Sequence, residues 1–159
     1  MSKILQRNKL IGILMIDGVI ITPLKKIDDD RGSVLHMMRN DSKSFKSFGE
    51  IYFSIAYPKA IKAWHLHKET YLNYACINGT IKLVLFDDRK NSKTKNQIQE
   101  IILSTKNYFL VTVPPLIWNG FTNIGDSNAI LANCSTVPYS DEEIIRKSPY
   151  DKFIPYKWG

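Results

Sequence analysis

The 159 residues carry 22 basic against 15 acidic side chains, a net charge of +7, with 44% hydrophobic and 11% aromatic content. That composition excludes a disordered chain, and the length suits one domain spanning 1–159 with a sizeable core. The positive balance fits an anionic partner (nucleic acid, a membrane surface or a phosphorylated small molecule) without choosing among them.

Met1 to Asn8 is polar, and Lys9 to Ile16 is a short apolar run entering the domain. Strand-like runs then follow at Val19 to Ile27, Ser33 to Met38, Glu50 to Tyr57, Ala60 to His67, Tyr71 to Ile77, Thr80 to Phe86, Ile98 to Ser104, Tyr108 to Val113, Trp118 to Asn123 and Ala129 to Cys134. Turn chemistry separates them, including Asp30-Arg31-Gly32, Pro114-Pro115 and Gly125-Asp126-Ser127, and Asn78-Gly79 between two apolar runs predicts a hairpin. The pattern predicts an all-β sandwich or barrel. A short helix is expected only over Ser140 to Lys147, where Ser140 can cap and Asp141, Glu142 and Glu143 suit a first turn.

Cys76 and Cys134 lie inside apolar runs and read as buried free thiols of a reducing compartment. No opening segment has the build of a secretion signal, and no apolar run nears the length needed to cross a bilayer, so a soluble cytoplasmic protein is expected. The basic segment Asp87 to Asn96 has no interleaved aromatic residue on which bases could stack, so neither nucleic acid nor a membrane is an expected partner. The consecutive acids Asp28-Asp29-Asp30 lack the alternating ligand spacing of a calcium loop.

The segment Ile61-Lys62-Ala63-Trp64-His65-Leu66-His67 carries the chemistry. As a regular strand it puts Ala63, His65 and His67 on one face and Lys62, Trp64 and Leu66 on the other. Two imidazoles on one face make a metal site, a proton-transfer site, or a pair that satisfies itself.

His65 and His67 match the His-x-His of a cupin-type barrel, but Leu72 stands where the cupin Glu is expected and Asn119 where the later His is expected. Two imidazoles alone hold a transition metal weakly, so no metal is expected. Gly18-Val19, Asp30-Arg31-Gly32, the His65 segment, Gly79, Phe86-Asp87-Asp88-Arg89 with Ser92 and Thr94, Pro114 to Phe121, Asp151 and Trp158 occur in an order that resembles the dTDP-4-dehydrorhamnose 3,5-epimerase family. The resemblance implies a cupin-type double-stranded β-helix (jelly roll) with a short C-terminal helical segment. It implies no cofactor, a nucleotide-diphosphate sugar as substrate, and a homodimer.

What the resemblance implies for residues is specific. His65 and Asp151 fall on the proton-abstracting dyad, Arg31 on the arginine that helps hold the diphosphate, and Lys62 on a basic position that is Arg in the family. The general-acid Tyr falls on Ala132. Lys62, His67 and Asn119 are then candidates to steady an enolate, and Tyr74 and Tyr139 to stand in for the acid. The implied activity is epimerisation of a nucleoside-diphosphate 4-keto-6-deoxysugar, faster at one carbon than at both. A non-catalytic sugar-nucleotide-binding cupin and a metal-dependent cupin are the alternatives.

Overall fold

Period-two alternation in the apolar runs builds two five-stranded antiparallel sheets that face each other in a jelly roll. The computed structural model describes residues 15–159, so of the predicted run Lys9 to Ile16 all but Met15 and Ile16 lies outside the described residues. The strands are β1 (Ile20–Pro23), β2 (Lys26–Asp29), β3 (Gly32–Leu35), β4 (Glu50–Ala56), β5 (Ile61–His67), β6 (Leu72–Asn78), β7 (Thr80–Asp87), β8 (Ile98–Ser104), β9 (Phe109–Val113), β10 (Ile117–Asn123), β11 (Ala129–Ser135) and β12 (Ile144–Arg146). One sheet runs β1-β9-β6-β11-β4 and the other β12-β5-β10-β7-β8, while β2 and β3 form a separate hairpin.

The inward faces make the core. Leu72, Tyr74 and Cys76 of β6, Ala129 and Leu131 of β11, Ile81, Leu83 and Leu85 of β7, and Ile117 and Phe121 of β10 share one buried cluster. Alternate residues point outward. Trp64, Leu66, Val84, Phe86 and Trp118 are covered by Ile154, Tyr156 and Trp158 of the C-terminal tail. On the other sheet, Ala75, Tyr108 and Leu110 are covered by Leu24, Leu35, Met37 and Met38. Cys76 and Cys134 are buried free thiols, as expected.

Three expectations change. The run Val19 to Ile27 divides into β1 and β2, because Pro23 has no N–H to continue a ladder. Asn78-Gly79 is not a hairpin turn: β6 and β7 belong to different sheets, and Gly79 (φ +73°) carries the chain across the corner between them. A Cβ there would lie 2.8 Å from Ala129, so the corner needs glycine for space as well as for backbone angle. The expected helix over Ser140 to Lys147 is a single 3₁₀ turn, Asp141–Glu143, followed by β12, and the Ser140 side chain makes no capping bond. The paired β-branched residues Ile144 and Ile145 favour an extended chain, and β12 adds to the open edge of β5 through the pairs Ile144↔His67 and Arg146↔His65.

Candidate active site

β5 is held from both sides, by β10 and by β12. Its pairing with β10 slips between Asn119 and Phe121: Asn119 sits opposite His65, but Phe121 sits opposite Lys62. That bulge reverses the alternation. Ala63 therefore turns outward with Trp64 and Leu66, against Gly120, while Lys62 joins the inward side. This corrects the regular-strand expectation, which put Ala63 beside the histidines and Lys62 opposite. The Lys62 ammonium crosses to the facing sheet, donating to Ser54 Oγ (2.6 Å) and the Ile55 carbonyl (3.3 Å) of β4.

His67 is the better anchored imidazole. Its Nδ1 lies 2.7 Å from Glu143 Oε2, and the two side chains are only 13% and 11% exposed. The other carboxylate oxygen accepts from the Glu69 and Thr70 N–H groups, both at 2.9 Å. Burial alone would raise the Glu143 pKa, but these backbone donors and His67 outweigh it and hold it below its ordinary value. An ionised carboxylate only accepts, so Nδ1–H of His67 donates, and Nε2 has no hydrogen-bond partner among the described residues.

His65 makes no ring hydrogen bond among the described residues. Burial first, then the charges of Arg146, His67 and Lys62, push its pKa down to about 4. It is a neutral base at physiological pH.

The two sheets open here into a cavity of about 370 Å³. Glu50, Tyr52, Leu72 and Asn133 line one wall, and His67, Glu143 and Arg146 the other. Asn119 is buried behind it, donating from Nδ2 to the His65 carbonyl (3.0 Å) and accepting the Tyr74 hydroxyl at Oδ1 (2.9 Å).

Several expected partners lie elsewhere. Asp151 is not brought to His65: its carboxylate caps the Phe153 N–H (2.9 Å) and meets Lys147 Nζ at 3.4 Å. Arg31 sits at the tip of the β2–β3 hairpin, its side chain 83% exposed and paired with Asp29. Tyr139 borders the cavity, but its hydroxyl is bonded to Asp141 and Arg146. Ala132 pairs in register with Ala75 and Phe53, on the outward side of β11, so it does not face the cavity at all. Among the described residues, no three of His, Cys, Asp and Glu cluster as metal ligands.

The sequence profile described as dTDP-4-dehydrorhamnose 3,5-epimerase matches residues 14–158. The chain belongs to the dTDP-4-dehydrorhamnose 3,5-epimerase family. A probable low-salt glycan biosynthesis epimerase of Haloferax volcanii is 33% identical, over 89% of this chain and 88% of that protein. A spore coat polysaccharide biosynthesis protein of Bacillus subtilis is 30% identical, over 91% of this chain and 97% of its own. The crystal structure of a dTDP sugar isomerase from Desulfovibrio desulfuricans superposes with a TM-score of 0.89 at 37% identity, covering 91% of this chain and 94% of that one. The protein is a carbohydrate epimerase or isomerase acting on a nucleotide sugar.

Glu143 and Arg146 line the cavity and were both missed by the sequence pattern. The case of Glu143 is the clearer one. Its place after Asp141 and Glu142 suggested a helix N-terminus, and the signal to the contrary was the β-branched pair that follows.

Proposed function

We propose that the protein epimerises a nucleoside-diphosphate 4-keto-6-deoxysugar next to the ketone, with His65 as the base, in the synthesis of a polysaccharide precursor. The observation that carries this is the neutral, half-buried His65 two residues along β5 from His67, whose pair with Glu143 lines the open cavity of an epimerase-family fold. Hydrogens on C3 and C5 are acidic because the adjacent carbonyl delocalises the carbanion, and a neutral imidazole removes one without a cofactor. His67 Nε2, left as an acceptor by the Nδ1–H bond to Glu143, would hold a sugar hydroxyl on the His65 side, whereas Asn119, expected to steady the enolate oxygen, is buried with its amide committed to the His65 carbonyl and the Tyr74 hydroxyl.

Arg146 borders this cavity and supplies the cation for the diphosphate. Neutralising Arg146 in this way would also relieve one of the charges that depress His65, strengthening the base when substrate is bound. The outward face of edge strand β4 shows Ile51, Phe53 and Ile55 at 50%, 58% and 54% exposure, an apolar row suited to a homodimer.

A second reading is supported by the placement of both imidazoles two residues apart on β5: a proton taken and returned on the same face moves the carbonyl along the ring instead of inverting a carbon. Incubation with a nucleotide-linked 4-keto-6-deoxyglucose in D₂O, followed by NMR, separates the two. Epimerisation gives deuterium and inversion at C3 or C5 with the carbonyl still at C4, and His65→Asn abolishes both while nucleotide binding survives. A product with the carbonyl at C3 would establish the isomerase reading, and no exchange would leave a binding protein.

A further inference from the structure

Inversion needs a donor on the face of the sugar opposite the base, and Ala132, the position implied for it, faces away from the cavity. The phenols near the cavity therefore matter individually. Tyr74 is 5% exposed, and it must donate to Asn119 Oδ1, because Asn119 Nδ2 is already committed to the His65 carbonyl. The Tyr139 proton goes to the Asp141 carboxylate. Both are spent.

Tyr52 differs. It lies on β4, directly opposite Asn133 of β11 and on the inward side, where it lines the wall that faces His67 and Arg146. Asn133 Oδ1 accepts the Asn73 N–H at 2.9 Å, which fixes the orientation of the amide. Asn73 is itself locked, accepting from Thr112 Oγ1 (2.8 Å) and donating to the Cys134 carbonyl (2.9 Å). Asn133 Nδ2 must then donate to the Tyr52 oxygen (3.0 Å). The phenol oxygen is an acceptor in its only hydrogen bond among the described residues, so its own proton is unused.

We propose that Tyr52 is the opposite-face acid, delivering its hydroxyl proton to the enolate carbon after His65 has removed the hydrogen from the other side. This rests on the epimerase reading above. The balance is closed: the C–H proton moves to His65, the phenol O–H proton forms the new C–H bond with inversion, and solvent in the open cavity reprotonates the phenolate and deprotonates the imidazolium. Burial, with the nearby Glu50 charge, raises the Tyr52 pKa against the lowering bond from Asn133, so the group carries its proton at neutral pH. The acid of this chain has in effect moved to the neighbouring strand.

Tyr52→Phe and Tyr139→Phe, compared with the wild type in D₂O with the nucleotide-linked 4-keto-6-deoxyglucose, test this. Tyr52→Phe is expected to keep deuterium uptake into recovered substrate within a few-fold while inversion falls roughly 10²- to 10⁴-fold, with Tm and nucleotide affinity retained. Tyr139→Phe is expected to invert. Unchanged inversion in Tyr52→Phe, equal loss of exchange and inversion in that variant with folding intact, or loss of inversion in Tyr139→Phe instead would each overturn the assignment. A wild type that exchanges nothing, or that moves the carbonyl, sinks the epimerase reading itself and is recognised before any variant is compared.

Discussion

Asp87 and Glu143 are both carboxylates packed among donors, and both are held below their ordinary pKa, yet they do different things. Asp87 is fully buried and accepts from Arg89 Nε (2.9 Å), Ser92 Oγ (2.5 Å) and Thr94 Oγ1 (2.7 Å). Those bonds outweigh the burial that would raise it and hold it well below the carboxylate range. Two of these donors tie the loop to the segment before β1: Arg89 reaches the Asp17 carbonyl (2.6 Å), and Thr94 accepts the Asp17 N–H (2.9 Å). Glu143 instead leaves one oxygen on an imidazole that borders open space. A perturbed carboxylate marks a site only when something it orients is accessible to a ligand.

Asp87→Asn should give the largest effect on stability. It leaves Arg89 without its buried counter-charge and places amide hydrogens where only acceptors fit, a loss of about 3 kcal/mol or more. Because Asp87 contributes while ionised, the wild-type advantage is present above its unfolded pKa and fades as pH falls below it. Thermal melting from pH 7 to pH 3 reads both, and deuterium exchange per folded molecule should be retained. Loss of exchange in a folded Asp87→Asn protein would show that the loop belongs to the site.

Glu143→Gln should do the reverse, costing activity more than stability. The Gln carbonyl still accepts from Glu69 and Thr70, but its NH₂ now faces His67 Nδ1 and donates to it, so the imidazole is driven to the opposite tautomer. Hydrogen bonds to charged groups contribute about 1.5–3 kcal/mol, which predicts roughly a 10- to 100-fold fall in kcat. The folded-state pKa of Glu143 is lowered, so the part of the wild-type stability that comes from this pair is present above its unfolded pKa and is lost as pH falls; Glu143→Gln should flatten that part of the curve. Wild-type kcat/KM should stay high until pH falls towards about 4, where His65 protonates. An acid limb near the ordinary histidine value would remove His65 from the role of base.

Most of the barrel could be read from residue patterns because period-two burial is a local property: Ile98–Ser104 emerges as a strand with its predicted bounds. In the candidate site, the shared strand of His65 and His67 was legible because it depends on the same local alternation. It was not legible where distant pairing intervened. The slip against β10 that turns Lys62 inward is invisible in β5 alone, and Glu143 reaches His67 only because β12 finds an unpaired edge. Tyr52 lay in a predicted strand, yet the bond that leaves its proton unused depends on the orientation of Asn133, 81 residues away.

Asp151→Asn should have the smallest effect and gives the sharpest contrast with Glu143→Gln. Asp151 was expected to orient His65, but its carboxylate holds the turn at Phe153 and an ion pair with Lys147. Asparagine preserves the first through its carbonyl oxygen, and the second is a partly solvated pair of the kind that contributes little. Lys147 itself keeps its place by other means, exchanging backbone hydrogen bonds with Trp64 at 2.9 and 3.1 Å and resting its ammonium 4.9 Å from the Phe153 ring centroid. Exchange, inversion and melting temperature should therefore match the wild type. If Asp151→Asn instead lost exchange while melting normally, the tail carboxylate would have to reach His65 once substrate is bound, and the orienting role assigned to the Glu143 side of the cavity would pass to it.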